Sequence, residues 1–167
     1  MPQICLSYLA PLLQCSAMMA LTPENTASLG CPTDASKPWT LAVRAVIREQ
    51  TGRWLLLRRS SQCVHFARTW ELPGGKLNSE ETIDGALCRE VREETGLMVR
   101  PTALAGTTER EMPDAHLVVL YFYTAAEIRA VILSEEHDDF TWVQLAEMDR
   151  LDLHPETRAF LQEQRGS

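Results

Sequence analysis

The sequence lacks the paired cysteines that build disulfide frameworks and zinc sites. Its five cysteines form no Cys-x-x-Cys pair, and an odd number of them is poorly suited to a set of disulfides. The four histidines also show no spacing typical of zinc ligands. We therefore expect reduced thiols in a cytoplasmic protein, and histidines with structural or surface roles.

Positive charge is scarce as well. The chain has 16 lysines and arginines against 23 aspartates and glutamates, which gives a net charge of −7. Binding to a nucleic-acid backbone relies on many basic side chains, so we expect no nucleic-acid partner. An anionic nucleotide can still bind an acidic protein through a bridging Mg²⁺ and a few local arginines. The composition is therefore compatible with a small-molecule nucleotide as partner.

Residues 1–37 lack the features of an export signal. Their apolar stretch has no basic residue before it, Pro11 interrupts it, and no clear small-residue cleavage pattern follows. We interpret residues 1–37 as an N-terminal extension that is expected to be flexible, and residues 38–167 as one domain. We expect no membrane partner.

Short apolar runs separated by turn signals predict most of the strands. Residues 40–48 and 54–58 are predicted to form a hairpin with its turn at 50–52, and residues 70–75 a short strand that ends in a glycine turn. Further strands are predicted at 98–108, 116–124 and 140–143, and helices at 145–151 and 155–164. Strands on both sides of one long helix, with another helix at the end, predict an α/β fold in which a mixed β-sheet lies between helices.

The long helix is predicted from its end signals at about residues 79–95. Asn78 is a good N-cap, and Glu81 stands three residues later, where a capping-box acid reaches back to the cap. Gly96 supplies a left-handed stop.

Three glutamates of this helix share a face with its apolar residues. On a helical wheel, Glu90, Glu93 and Glu94 lie on the same side as Leu87 and Val91. A solvated outer face is the ordinary explanation for a charge run, but the wheel argues against it. A buried carboxylate must protonate, pair with a base or bind a metal. Because no His or Cys stands nearby, carboxylate oxygens here favour Mg²⁺ or Mn²⁺.

The spacing of residues 75–97 resembles the Nudix box of the Nudix hydrolases. The match consists of Gly75, Glu81 and the run at residues 89–97, which reads Arg-Glu-Val-Arg-Glu-Glu-Thr-Gly-Leu. The resemblance implies the Nudix α/β/α sandwich and hydrolysis of a phosphoanhydride bond with Mg²⁺ as cofactor, Mn²⁺ being an alternative.

The resemblance also implies roles for individual residues. Glu90, Glu93 and Glu94 would be metal ligands or water activators, with the carbonyl of Gly74 as a further metal ligand. Arg89 would hold the glutamates in position.

A later acidic loop offers a candidate general base. Among residues 135–139, Glu136 is the first choice as base or extra ligand, and a solvated acidic loop is the alternative interpretation. Arg58 and Arg59 are candidates to bind substrate phosphate, and Trp70 to stack on a base. They could equally be surface arginines and a core tryptophan.

The sequence offers three interpretations of the substrate and activity. Similarity to MutT-type enzymes around residues 58–76 favours hydrolysis of a (d)NTP to NMP and pyrophosphate. Pro113, sixteen residues after the box, is instead associated with ADP-ribose pyrophosphatases, and nucleotide sugars belong to the same alternative. A non-catalytic module that senses a nucleotide is a third hypothesis. The sequence leaves a homodimer open.

Overall fold

The computed structural model describes residues 37–165. The strands of this part are β1 (Trp39–Ile47), β2 (Trp54–Arg59), β3 (Trp70–Glu71), β4 (Val99–Glu111), β5 (His116–Ala126) and β6 (His137–Val143). The helices are α1 (Ile83–Thr95), a 3₁₀ helix (Leu145–Arg150) and α2 (Pro155–Arg165). The predicted N-terminal extension lies outside the described residues except for Lys37. Between residues 37 and 165, no helix has the length and apolar character needed to span a membrane.

The strands form two three-stranded sheets. In the first, with the order β1-β5-β4, β1 runs parallel to β5 and β4 runs antiparallel to it. In the second, with the order β3-β2-β6, both pairings are antiparallel. The predicted mixed sheet is confirmed, and an antiparallel sheet accompanies it.

β1 and β2 do not form the predicted hairpin beyond its tip. At the tip, the Glu49 N–H donates to the Arg53 carbonyl at 3.0 Å and the Gly52 N–H to the Glu49 carbonyl at 2.9 Å. One isolated bridge joins Arg48 and Trp54. The strands then enter different sheets, because β1 pairs with β5 whereas β2 pairs with β3 and β6. The turn signal was right, but it does not report which strands pair.

Alternate side chains of β1 and β2 face two different hydrophobic cores. One core lies against α1 and consists of Val43, Ala45, Ile47, Leu55, Leu57, Ala86, Leu87, Val91 and Leu97. The other lies against α2 and includes Ala42, Val46, Trp54, Leu56, Leu72, Tyr121, Phe160 and Leu161. Each fully buried aliphatic side chain contributes roughly 1.5–3 kcal/mol. The two helices therefore cover opposite faces of the central strands, which is an α/β/α sandwich.

α1 begins four residues later than predicted. Thr82 is the N-cap, and its hydroxyl accepts a hydrogen bond from the first turn of the helix, which starts at Ile83. Glu80 has a φ of 67°, a conformation that cannot continue a right-handed helix. Asn78 is therefore not the cap. Its N–H does donate to the Glu81 carboxylate at 3.2 Å, so the predicted reach-back contact closes a turn ahead of the helix.

The inward face of α1 contains one glutamate fewer than the wheel predicted. Leu87 and Val91 are fully buried, and Glu94 is 6% exposed. The Glu93 side chain is instead 59% exposed, because it stands at the edge of the apolar stripe. The predicted stop at Gly96 is confirmed by its φ of 68°.

Candidate active site

A glycine turn between β3 and α1 is fastened to the edge of β1. The Ala45 N–H donates to the Pro73 carbonyl and the Val43 N–H to the Gly75 carbonyl, both at 2.8 Å. Gly74, between them, has a φ of 133°, and a Cβ built on it would lie 2.1 Å from the Val43 carbonyl oxygen. Only glycine fits this position. The close packing presents the turn to the C-terminal half of α1.

Glu94 binds this turn through a buried carboxylate. Its Oε2 accepts a hydrogen bond from the Gly74 N–H at 2.7 Å. Burial raises the pKa of the Glu94 carboxyl to about 8, although Arg44 and the Gly74 N–H act in the opposite direction. Near neutral pH the carboxyl therefore holds its proton unless a cation compensates its charge.

Glu90 lies against the next residue of the turn. A Cβ on Gly75 would stand 2.5–2.7 Å from the Glu90 carboxylate atoms, so only glycine leaves room for this carboxylate. The charge of Glu90 also contributes to the raised pKa of Glu94. The glycine turn thus brings Glu90 and Glu94 together.

Arg89 contacts three glutamates on and just before α1. Its Nε and Nη2 donate to the two carboxylate oxygens of Glu81 at 2.8 and 2.9 Å. Its Nη1 lies 2.9 Å from Glu90 Oε1 and 3.1 Å from Glu93 Oε2. The bond from Arg89 lowers the pKa of the Glu81 carboxyl. One guanidinium therefore orients three carboxylates, and the contact predicted between Arg89 and Glu93 is present.

The site contains ligands suited to a divalent metal, although they do not form a complete cage. Among residues 37–165, no three His, Cys, Asp or Glu side chains are grouped closely enough to bind a metal alone. Mg²⁺ does not need such a group, because one or two carboxylates usually bind it together with waters and substrate phosphates. Glu90 and Glu94 supply hard oxygens, and the raised pKa of Glu94 marks a charge that a cation would compensate. These residues fit a divalent metal.

The other two predicted metal ligands are engaged elsewhere. Glu93 extends into solvent beside Arg89. The carbonyl of Gly74 accepts a hydrogen bond from the Arg44 guanidinium.

Glu136 lies in an exposed loop near the end of α1. Its carboxylate is exposed, whereas its carbonyl accepts a hydrogen bond from the Ser60 N–H at 2.8 Å. Two residues earlier, the Ser134 N–H approaches the Glu94 carbonyl at 3.4 Å. The loop is thus anchored next to the backbone of Glu94.

The predicted substrate-binding residues separate into two groups. The Arg58 guanidinium lies 5.5 Å from the centre of the Trp70 ring and pairs with Asp138 at 2.7 Å. Arg59 instead donates to the buried Glu71 at 2.8 Å. Arg58 and Trp70 lie together and are both half-buried, and Trp70 also packs against the core that lies against α2, as the alternative interpretation has it. Arg59 is committed to an internal ion pair.

Comparison with known proteins assigns the family. Residues 38–164 match the NUDIX domain family. The chain belongs to the Nudix hydrolases. This assignment confirms the resemblance seen in residues 75–97 and the predicted class of enzyme.

Three relatives illustrate the similarity of this Nudix hydrolase to characterised members. The nucleoside triphosphatase NudI of Klebsiella pneumoniae is 32% identical over 124 residues, which cover 68% of this chain and 88% of that protein. The 8-oxo-dGTP diphosphatase of Escherichia coli is 29% identical over 110 residues, covering 66% and 84%. The structure of the MutT protein from Methanosarcina mazei superposes with a TM-score of 0.71 at 35% identity, covering 78% of this chain and 96% of that one. These comparisons confirm the Nudix fold, whose enzymes act on small nucleotides and generally use a divalent metal.

The sequence analysis did not predict a buried ionic cluster that lies next to the glycine turn. Glu71, 1% exposed, is contacted by Arg59, by His137 Nε2 at 3.2 Å and by Arg44 Nη2 at 3.1 Å. Burial alone would raise the pKa of Glu71, but Arg44, His137 and Arg59 together lower it to about 2. The available signal was a single charged residue inside an apolar segment, at Arg44 within residues 41–47 and at Glu71 between Trp70 and Leu72.

Proposed function

We propose that this Nudix hydrolase is a Mg²⁺-dependent pyrophosphohydrolase that converts a (d)NTP into NMP and pyrophosphate. The observation that carries the proposal is the buried Glu94 carboxylate, whose raised pKa marks an uncompensated charge beside Glu90. Similarity to NudI and to the 8-oxo-dGTP diphosphatase supports a nucleoside triphosphate as substrate. Mn²⁺ is the expected substitute because it prefers the same oxygen ligands.

The chemistry requires charge compensation on phosphate and an activated water. Glu90 and Glu94 would bind the metal, with Glu93 as a further carboxylate at the rim. Bound Mg²⁺ supplies polarisation of the phosphoryl oxygens and a lowered pKa for coordinated water. Arg89 keeps Glu90 and Glu93 oriented through its short contacts. Glu136 would accept the proton of the attacking water, which its exposed position allows.

Arg58, Arg59 and Trp70 are assigned to the substrate in this proposal. The ion pairs of Arg58 with Asp138 and Asp139 are partly exposed, and such pairs are worth only about 0–1 kcal/mol. Arg58 can therefore exchange them for a phosphate, while Trp70 offers its ring to the base. Arg59 is already paired with Glu71, so it would bind substrate only by exchanging that ion pair for a phosphate.

The test is hydrolysis by the purified full chain with Mg²⁺, with products separated by anion-exchange chromatography. The panel contains (d)NTPs, ADP-ribose, nucleotide sugars and dinucleoside polyphosphates. The expected products from the preferred substrate are NMP and pyrophosphate, and Glu94→Gln serves as the inactive control. Release of NDP and orthophosphate from a (d)NTP would refute the assigned bond cleavage.

ADP-ribose and nucleotide sugars form the competing substrate class, on the basis of Pro113. This proline lies in the exposed turn between β4 and β5, where the Met112 N–H donates to the Ala115 carbonyl at 2.9 Å. Faster turnover of ADP-ribose than of every (d)NTP would transfer the assignment to that class.

A further inference from the structure

Arg44 is a buried arginine in the middle of β1. Its neighbours Val43 and Ala45 are fully buried in the core against α1, so alternation directs Arg44 to the opposite face of β1. Its side chain is only 11% exposed. A charge in such a place is costly unless it is paired and hydrogen-bonded. The residue therefore needs an explanation beyond the packing of the sheet.

Both terminal nitrogens of the Arg44 guanidinium make contacts. Nη2 lies 3.1 Å from Glu71 Oε2 and 3.8 Å from Glu156 Oε2, which links β3 to α2. Nη1 donates to the Leu72 carbonyl at 3.2 Å and to the Gly74 carbonyl. The contacts of Nη2 are ion pairs, since Glu71 Oε2 has no hydrogen-bond partner, whereas those of Nη1 are hydrogen bonds. A planar guanidinium fork can make both kinds of contact at once, whereas a lysine ammonium cannot reproduce their geometry. Nη2 of Arg44 thus pairs with carboxylates, and Nη1 binds the backbone at the glycine turn.

The turn has three successive carbonyls, and only one of them depends on a side chain. Those of Pro73 and Gly75 accept from the backbone of β1. The carbonyl of Gly74 accepts from Arg44, while the N–H of the same residue donates to Glu94. Gly74 is therefore held from one side by Arg44 and bound from the other to a carboxylate of the site.

We propose that Arg44 is a positioning residue of the active site, which fixes Gly74 so that its N–H orients the Glu94 carboxylate. Glu71 anchors Arg44 in turn, since Arg59 and His137 hold Glu71 from its other sides. This inference rests on the proposed function for its kinetic part. Its structural part concerns the geometry of Gly74 and stands independently of any substrate.

The test is Arg44→Lys, which keeps the positive charge beside Glu71 and Glu156 but loses the fork. A hydrogen bond to a charged group corresponds to about a tenfold or larger change in an equilibrium. We therefore expect amide hydrogen exchange of Gly74 to become at least about tenfold faster, with β2 and β6 amides unchanged. We also expect kcat for the preferred (d)NTP to fall at least about tenfold and KM to change less than about threefold, because the orientation of Glu94 affects the reaction more than substrate binding.

Arg110→Lys is the matched control. Arg110 pairs with the same Glu156 carboxylate at 3.4 Å but does not reach the glycine turn. Exchange at Gly74 and kcat should stay within about twofold of wild type, for a substitution of the same chemistry. Equal Gly74 exchange in wild type and Arg44→Lys, or equal acceleration in both variants, would overturn the proposal.

A measurement on the wild-type protein covers the case in which Arg44→Lys does not fold. NMR of the arginine side chains should show slowly rotating, exchange-protected Nη protons for Arg44 with cross-relaxation to Gly74. A freely rotating guanidinium would overturn the proposal. Absence of (d)NTP hydrolysis by wild type would instead refute the proposed function, and leave the exchange result to decide the role of Arg44.

Discussion

Glu94→Gln should stabilise the metal-free protein at alkaline pH. The glutamate is 6% exposed and its carboxylate has a single backbone hydrogen bond, from Gly74. Glutamine has almost the same shape, and its carbonyl oxygen can accept the same bond. The substitution therefore removes the buried negative charge while preserving the packing around it.

The magnitude follows from the pKa of this one carboxyl. Burial raises it from the ordinary 4.5 to about 8 in the folded state. Below about pH 4.5 the carboxyl is protonated in both states, and above about pH 8 it is ionised in both. Between these limits the folded state holds a proton that the unfolded state has lost, so stability falls as pH rises. At about 1.4 kcal/mol per pH unit, the unfolding free energy of the wild type should fall by on the order of 5 kcal/mol across this range. That of Glu94→Gln should not fall in this way.

Urea unfolding in EDTA, followed by tryptophan fluorescence from about pH 5 to about pH 9, measures this difference. The stability of Glu94→Gln relative to wild type should increase steadily through the window. Glu93→Gln is the matched control, because that side chain is 59% exposed and its substitution leaves the buried charge of Glu94 in place. Parallel pH curves for wild type and Glu94→Gln would refute a buried, uncompensated charge.

The same variants separate metal binding from stability. Millimolar Mg²⁺ should raise the stability of wild type above about pH 7, where the cation compensates the ionised Glu94, and should affect Glu94→Gln much less. The kcat of Glu94→Gln with Mg²⁺ should fall by about 100-fold or more. Near-normal kcat in this variant would remove Glu94 from the metal assignment.

Two further predictions concern the glycine turn and the acidic loop. Gly75→Ala should fold, because its Cβ meets the movable Glu90 carboxylate, but its kcat should fall about tenfold or more. Gly74→Ala should instead lower the unfolding free energy by several kcal/mol, since its Cβ meets the Val43 carbonyl at 2.1 Å. Thermal unfolding and kinetics compare the two, and equal stabilities would contradict this reasoning. Glu136→Gln should lower kcat at least about tenfold across neutral pH, with the neighbouring exposed Glu135→Gln as control; equal rates in both would remove Glu136 as general base.

Local signals in the sequence predicted most of the strands and helices, and the residues that α1 contributes to the site. The stop at Gly96, the burial of Leu87 and Val91 and the strand segments follow from spacing along the chain. The predicted start of α1 was wrong because Glu80 has a left-handed backbone conformation. No pattern of side chains in the sequence indicates this conformation. The separation of β1 from β2 depends on partners that are distant in sequence.

The ionic cluster could not be predicted for the same reason. Arg44, Glu71 and His137 come from three strands, and their meeting depends on the way in which the two sheets are placed. Only the isolated charges of Arg44 and Glu71 within apolar segments could be seen in the sequence. A lone buried charge implies a partner without identifying it.

Glu71 and Glu94, two of the three buried carboxylates near Arg44, differ in how completely their charge is compensated. Glu71 has Arg44, Arg59 and His137 around it, and its pKa is about 2. Glu94 has one backbone N–H and only the more distant field of Arg44, and its pKa is about 8. Neighbouring acids whose pKa values are pushed apart by their surroundings usually have different roles. Because Arg44 and Arg59 are directed to Glu71, Glu94 is the carboxylate left to be neutralised from outside, either by a proton or by a divalent metal.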